Sequence, residues 1–129
     1  MNNHGDLVFL IVEDEESNII VLRMLLQKKY NAEVLCARNG QQGVEIVEKR
    51  PDIDLVFMDM KMPVMDGYTA TGIIKKMRSD LPVIAVTAYG LNGQKNEILN
   101  AGCDDYLAKP IQAMQIFDKV KTFLKLPDL

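Results

Sequence analysis

Six consecutive apolar residues, Leu7 to Val12, open a chain in which short apolar runs alternate with longer segments of helical periodicity. Leu55 to Met58 and Val83 to Val86 are equally unbroken. A strand without a polar side is enclosed on both faces, which suits a parallel sheet covered by helices. Glu33 to Ala37 and Tyr106 to Ala108 are shorter or more mixed and suit the sheet edges. The alternation predicts five strand-helix units, with no internal repeat, low-complexity stretch or long linker to break them up.

Five helical segments fill the intervals. The first, about Ser17 to Lys29, carries Ile19, Leu22, Met24, Leu25 and Leu26, with Glu15 and Glu16 placed at its positive N-terminal end. The second and third lie near Gln41 to Lys49 and Tyr68 to Arg78. Asn92 to Ala101 is the weakest helix, because Asn92, Gly93, Asn96 and Asn100 have poor propensity, and Gly102 reads as its C-terminal cap. The fifth sets Ile116, Phe117, Val120, Phe123 and Leu124 against polar Asp118, Lys119, Lys121 and Lys125.

Composition narrows the class. A length of 129 residues with 48% hydrophobic content suits one domain with a single core. We expect it to span 7–126, flanked by a polar tail at 1–6 and a short tail at 127–129. Fifteen basic residues nearly balance eighteen acidic ones, and no basic stripe appears, which argues against direct nucleic-acid binding. No apolar run approaches the ~20 residues of a membrane span, and Met1 to Asp6 lacks a signal-peptide pattern, so a cytoplasmic domain without membrane contact is expected. Cys36 and Cys103, in no CxxC arrangement, read as reduced packing residues. His4 lies in the polar tail and reads as neither phosphodonor nor metal ligand.

The candidate chemistry sits where the apolar runs stop. Glu13 and Asp14 follow the first strand, Asp59 ends the third, Thr87 ends the fourth and Lys109 lies just beyond the fifth. In a parallel sheet these ends share one edge, and ligand sites of open α/β sheets lie outside the carboxyl ends of the strands. If the first and third strands are neighbours, three carboxylates converge, and their repulsion calls for partial protonation or a cation. An all-oxygen site with room for water suits Mg²⁺, and Asp59 becomes a candidate nucleophile for phosphoryl transfer.

Val12-Glu13-Asp14, the run from Asp59 through Met60, Lys61, Met62, Pro63, Val64, Met65 and Asp66 to Gly67, Thr87-Ala88 and Lys109-Pro110 together resemble the signature of response-regulator receiver domains. The resemblance runs from Leu7 to about Leu126. It implies a doubly wound, flavodoxin-like α/β fold with five helices and strand order 2-1-3-4-5. It implies that Asp59 accepts a phosphoryl group, that Glu13, Asp14, Asp59 and the backbone carbonyl of Lys61 hold Mg²⁺ or Mn²⁺, and that Lys109 pairs with the phosphoryl group. The backbone at Met60 and Ala88 would bind phosphoryl oxygens. Thr87 and Tyr106 resemble a switch pair that alters the surface of the fourth helix, fifth strand and fifth helix. Lys61 and Tyr89 occupy positions that influence how quickly phosphate is lost. A cis peptide before Pro110 would aim the lysine.

The implied partners are a histidine kinase or a histidine phosphotransfer domain, with room for a phosphorylation-dependent dimer. Asn18 and the stretch Ala101 to Ile111 look most like receivers of hybrid sensor histidine kinases, with a freestanding regulator as the alternative. Beyond self-phosphorylation and autodephosphorylation no independent turnover is expected, although the parent chain would be a kinase. A flavin or nucleotide binder would need a phosphate-cradling loop after the first strand, where this chain is acidic. An aspartate-nucleophile phosphatase usually carries an acid at the position held by Lys61. A receiver reduced to partner binding fits poorly with the complete set of Glu13, Asp14, Asp59, Thr87 and Lys109. Met60, Met62 and Met65 read mainly as packing, and Asp66 as a helix cap, not a ligand.

Overall fold

The computed structural model describes residues 6–88 and 95–127. Five strands alternate with five helices: β1 (Val8–Val12), α1 (Glu16–Tyr30), β2 (Glu33–Ala37), α2 (Gly40–Lys49), β3 (Leu55–Asp59), α3 (Gly67–Met77), β4 (Val83–Thr87), α4 (Lys95–Asn100), β5 (Asp105–Ala108) and α5 (Ala113–Leu124). All strand pairs are parallel, and the order is β2-β1-β3-β4-β5, as the resemblance implied. The three unbroken apolar runs are the three central strands, and every residue of each is buried. The two more mixed runs form the edges.

Strand side chains point alternately to the two sheet faces, and the core divides accordingly. Phe9, Ile11, Leu55, Phe57, Ile84 and Val86 pack with Ile19, Leu22 and Leu26 of α1 and Ile116 and Val120 of α5. Leu10, Val12, Val56, Met58, Val83 and Ala85 pack on the other side with Val44 and Val47 of α2, Ala70 and Ile74 of α3, and Ile98 of α4. Each helix thereby covers one sheet face with the stripe its sequence supplies.

Local signals set several boundaries. The Asp66 carboxylate accepts a 2.8 Å hydrogen bond from the Thr69 amide at the start of α3, confirming it as a cap. Asn39 does the same for α2 through the Gln42 amide at 2.9 Å. Gly102, at φ 111°, ends the α4 segment, where amides of Gly102 and Cys103 donate to carbonyls of Leu99 and Ile98. The expected start of that helix, Asn92 to Gln94, lies outside the described residues, as do Tyr89, His4 with most of the N-terminal tail, and the last two residues.

Of the apolar residues that the first helix carries, Ile19, Leu22 and Leu26 form the buried face together with Tyr30, whereas Met24 is 56% exposed and Ile20 and Val21 are exposed as well. α1 is apolar on more than one side, so periodicity alone could not select the face. Both cysteines are free; Cys103 is buried, and burial pushes its thiol up to about 11, consistent with a packing role.

Candidate functional site

Sheet register brings the dispersed residues together. Val12 pairs with Met58, so the next residues, Glu13 and Asp59, emerge side by side at the carboxyl ends of β1 and β3. Asp59 pairs with Val86, which places Thr87 one step further along β4, and Thr87 pairs with Ala108, immediately before Lys109. The peptide between Lys109 and Pro110 is cis, and the Lys109 amide donates to the Thr87 carbonyl at 2.8 Å.

Carboxylate oxygens of Glu13, Asp14 and Asp59 lie within 4.8 Å of one another. Glu13 is 4% exposed and Asp59 5%, whereas Asp14 is open to solvent. Lys109 Nζ sits 3.3 Å from a Glu13 oxygen and 3.7 Å from Asp59 Oδ2. The Lys61 amide donates to Asp59 Oδ1 at 3.3 Å, and the Glu15 amide to Glu13 Oε2 at 3.2 Å. These donors do not balance the buried charge. Burial, then the neighbouring Glu13 carboxyl, pushes Asp59 up to about 7, with Lys109 and the Lys61 amide opposing.

A cavity of about 140 Å³ opens over Asp59, lined by Asp14, Glu15, Asp59, Lys61, Thr87, Ala88 and Lys109. The loop after Asp59, which contributes Lys61 to the lining, is held by backbone hydrogen bonds. The Gly67 amide donates to the Met60 carbonyl at 3.1 Å, and the Gly40 amide at the start of α2 donates to the Met65 carbonyl at 3.0 Å. Between them Val64 adopts φ 74° while 83% exposed, a conformation unusual for a β-branched side chain. Met60 is buried and Met62 and Met65 are half-buried against the core, in keeping with packing.

The donor set fits a hard divalent cation. Oxygen is the only ligand type offered, and one exposed carboxylate beside two buried ones leaves coordination positions for water. The undercompensated negative charge at Asp59 is what such an ion would relieve.

Among the expected site residues, Glu13, Asp14, Asp59, Thr87, Ala88, Lys61 and Lys109 gather at this one edge. Met60 lies in the loop directly after Asp59, and Tyr106 stands on β5, half-buried beside Leu107, Ala108 and Lys119. Tyr89 lies outside the described residues. Two contributions escaped the sequence reading. Glu15 lines the cavity, a role hidden in an acidic run that also suits a helix start; Gly40 pins the loop from another helix, which no local signal announces.

A family model described as the response regulator receiver domain matches residues 9–121. Hybrid signal transduction histidine kinase G of Dictyostelium discoideum is 44% identical over 111 residues, which is 83% of this chain but 3% of that protein. The chain spans only a small part of the length of the curated relatives it matches, 13% for histidine kinase 3 of Arabidopsis thaliana. Among solved structures, the receiver domain of the sensor histidine kinase PA1611 of Pseudomonas aeruginosa, with a magnesium ion coordinated in its active-site cleft, is 31% identical at a TM-score of 0.84, covering 93% of this chain and 98% of that one. The receiver domain of a Saccharomyces cerevisiae response regulator, crystallised with its histidine phosphotransfer protein, is also similar: TM-score 0.81, 28% identity, 92% of this chain and 88% of the matched chain. Among the described residues no helix is long and apolar enough to cross a membrane.

Proposed function

The chain belongs to the response regulator receiver domain family, and from that premise we propose that it takes a phosphoryl group from a partner phosphohistidine onto Asp59 and passes the event to a second surface. The observation that carries this reading is the buried Asp59 carboxylate at the end of the central strand, within a carboxylate cluster and 3.7 Å from the Lys109 ammonium.

Glu13, Asp14, Asp59 and the Lys61 carbonyl would hold Mg²⁺, with Mn²⁺ as an alternative of similar ligand preference. Such an ion supplies charge neutralisation, keeping Asp59 ionised and offsetting the charge on the transferring phosphoryl oxygens. An Asp59 carboxylate oxygen forms the new P–O bond as the P–N bond to the imidazole breaks, and the nitrogen keeps the bonding pair. The Lys109 ammonium pairs with a phosphoryl oxygen, the Thr87 hydroxyl donates to another, and the amides of Met60 and Ala88 complete the cradle. In moving toward the phosphoryl group, Thr87 draws its loop inward and releases space for Tyr106, so that the α4-β5-α5 surface changes. Lys61 and, as the family resemblance implies, Tyr89 influence how quickly water hydrolyses the acyl phosphate.

The likeness to receivers of hybrid kinases favours a relay station, accepting from a kinase-domain histidine and donating to a phosphotransfer-domain histidine in the cytoplasm. We take residues 7–126 as the unit that does this. Intact mass after incubation with a small phosphodonor and Mg²⁺ should show a single phosphoryl adduct, absent with chelator and mapped to Asp59. An adduct elsewhere, or none from either a small donor or a phosphohistidine protein, would defeat the assignment.

Cation binding has its own signature. An ion bound only by the native state stabilises it by ~2.7 kcal/mol at ~100 times its dissociation constant. The melting temperature should therefore climb with Mg²⁺ and keep climbing logarithmically past saturation. A flat response would contradict the site.

A further inference from the structure

Glu15 occupies the N-cap of α1, yet its side chain caps nothing. Glutamate is a weak choice there, where a shorter Asp, Asn, Ser or Thr would bond the first free amides. Glu15 instead belongs to the lining of the cavity over Asp59. Building on the proposed phosphoacceptor function, we propose that Glu15 is a specificity-determining residue: its carboxylate strengthens cation binding and, by holding the loaded cavity near neutrality, discriminates against small free phosphate-bearing anions.

The charges around the cavity support this. Glu13, Asp14, Glu15 and Asp59 supply four negative charges when ionised, and Lys61 and Lys109 two positive ones. With a divalent cation held there, the total is zero. A small dianionic donor then meets no net attraction, whereas a phosphohistidine held on a protein is delivered by the docking of two surfaces and needs none. Remove the Glu15 charge and the loaded cavity becomes net positive.

The size of the effect follows from the cavity. Glu15 and Asp59 line the same cavity of about 140 Å³, so the Glu15 charge acts at a separation on the order of the cavity's width, ~6 Å. In a solvent-open mouth, one charge at ~6 Å changes the local concentration of a divalent ion by about tenfold at low salt and about threefold at physiological salt. The same factor applies with opposite sign to a dication and to a dianion.

The test compares Glu15→Gln with Glu15→Asp, which keeps the charge, and with wild type. Mg²⁺ affinity is read by calorimetry, and adduct formation at saturating Mg²⁺ by intact mass with acetyl phosphate and with the less charged phosphoramidate. Glu15→Gln should bind Mg²⁺ about threefold to tenfold more weakly yet react about threefold to tenfold faster with acetyl phosphate. The gain should be smaller with phosphoramidate, shrink with added salt and be absent in Glu15→Asp. A purely structural role would lower affinity and rate together, and that result, or unchanged values in both, overturns the proposal. Wild type forming no adduct with any donor would instead bring down the phosphoacceptor reading itself, and this inference with it.

Discussion

Asp59→Asn is expected to abolish phosphoryl uptake and, in the absence of divalent cations, to make the protein more stable. The two outcomes share a cause. Asp59 is raised from 3.8 to about 7 by burial and by Glu13, so between those values the native state holds a proton that the unfolded chain has lost. Stability bound up with that proton is fully present below about pH 4 and is lost as pH rises through about 7. At about 1.36 kcal/mol per pKa unit the ceiling is about 4 kcal/mol. Asparagine removes the titration and leaves Lys109 paired with Glu13 at 3.3 Å. Melting in chelator at pH 5 and pH 8 should therefore show a decline for wild type that the variant lacks, with the variant higher at pH 8. Parallel curves would mean that the clustered carboxyls do not interact as their geometry requires.

Gly67→Ala should be the most damaging single-methyl change near the site. A Cβ at Gly67 would lie 2.3 Å from the Asp59 carbonyl oxygen, 2.7 Å from Met60 Cα and 2.9 Å from the Met60 sulfur. Two of these are backbone atoms of the segment that presents the nucleophile, and the Gly67 amide is itself bonded to the Met60 carbonyl. Relief requires moving α3 or the end of β3, so a loss of about 3 kcal/mol is expected, with Mg²⁺ affinity falling in whatever fraction remains folded. Gly72, on the same helix, has nothing within 4 Å of its would-be Cβ, and Gly72→Ala should gain up to ~1 kcal/mol from helix propensity. Urea unfolding of the pair reads both signs. Comparable midpoints would show that the approach of α3 to β3 is looser than described.

The central strands were legible because burial on both faces leaves no polar positions in Leu7 to Val12, Leu55 to Met58 and Val83 to Val86. Site residues were legible for a related reason: Glu13, Asp14, Asp59 and Thr87 interrupt those runs where apolar residues would otherwise continue, and four short motifs in a fixed order carried the family resemblance. The strand order, by contrast, came from that resemblance, since periodicity says nothing about which strands adjoin. Nor could spacing distinguish the buried Glu13 from the exposed Asp14, because a strand end turns its last residues to opposite sides. The buried face of α1 was not legible, because apolar residues lie around much of its circumference, with Met24, Ile20 and Val21 among the exposed ones. The Gly40 contact with Met65 joins distant segments through backbone atoms, which carry no residue-type signal.

The register that aligns Glu13, Asp59, Thr87 and Lys109 also fixes when the site can exist. β1 is made first but lies between β2 and β3, and its Val8 amide bonds the Asp54 side chain, 46 residues away. A nascent chain emerging N-terminus first thus presents its acidic cluster before Lys109, the countercharge, has been synthesised. Parallel pairing closes long loops before it is rewarded, which slows assembly. The newborn domain therefore has an interval in which its acidic cluster lacks Lys109, and the arrival of β5 completes the sheet and brings that ammonium within 3.7 Å of Asp59 in one step.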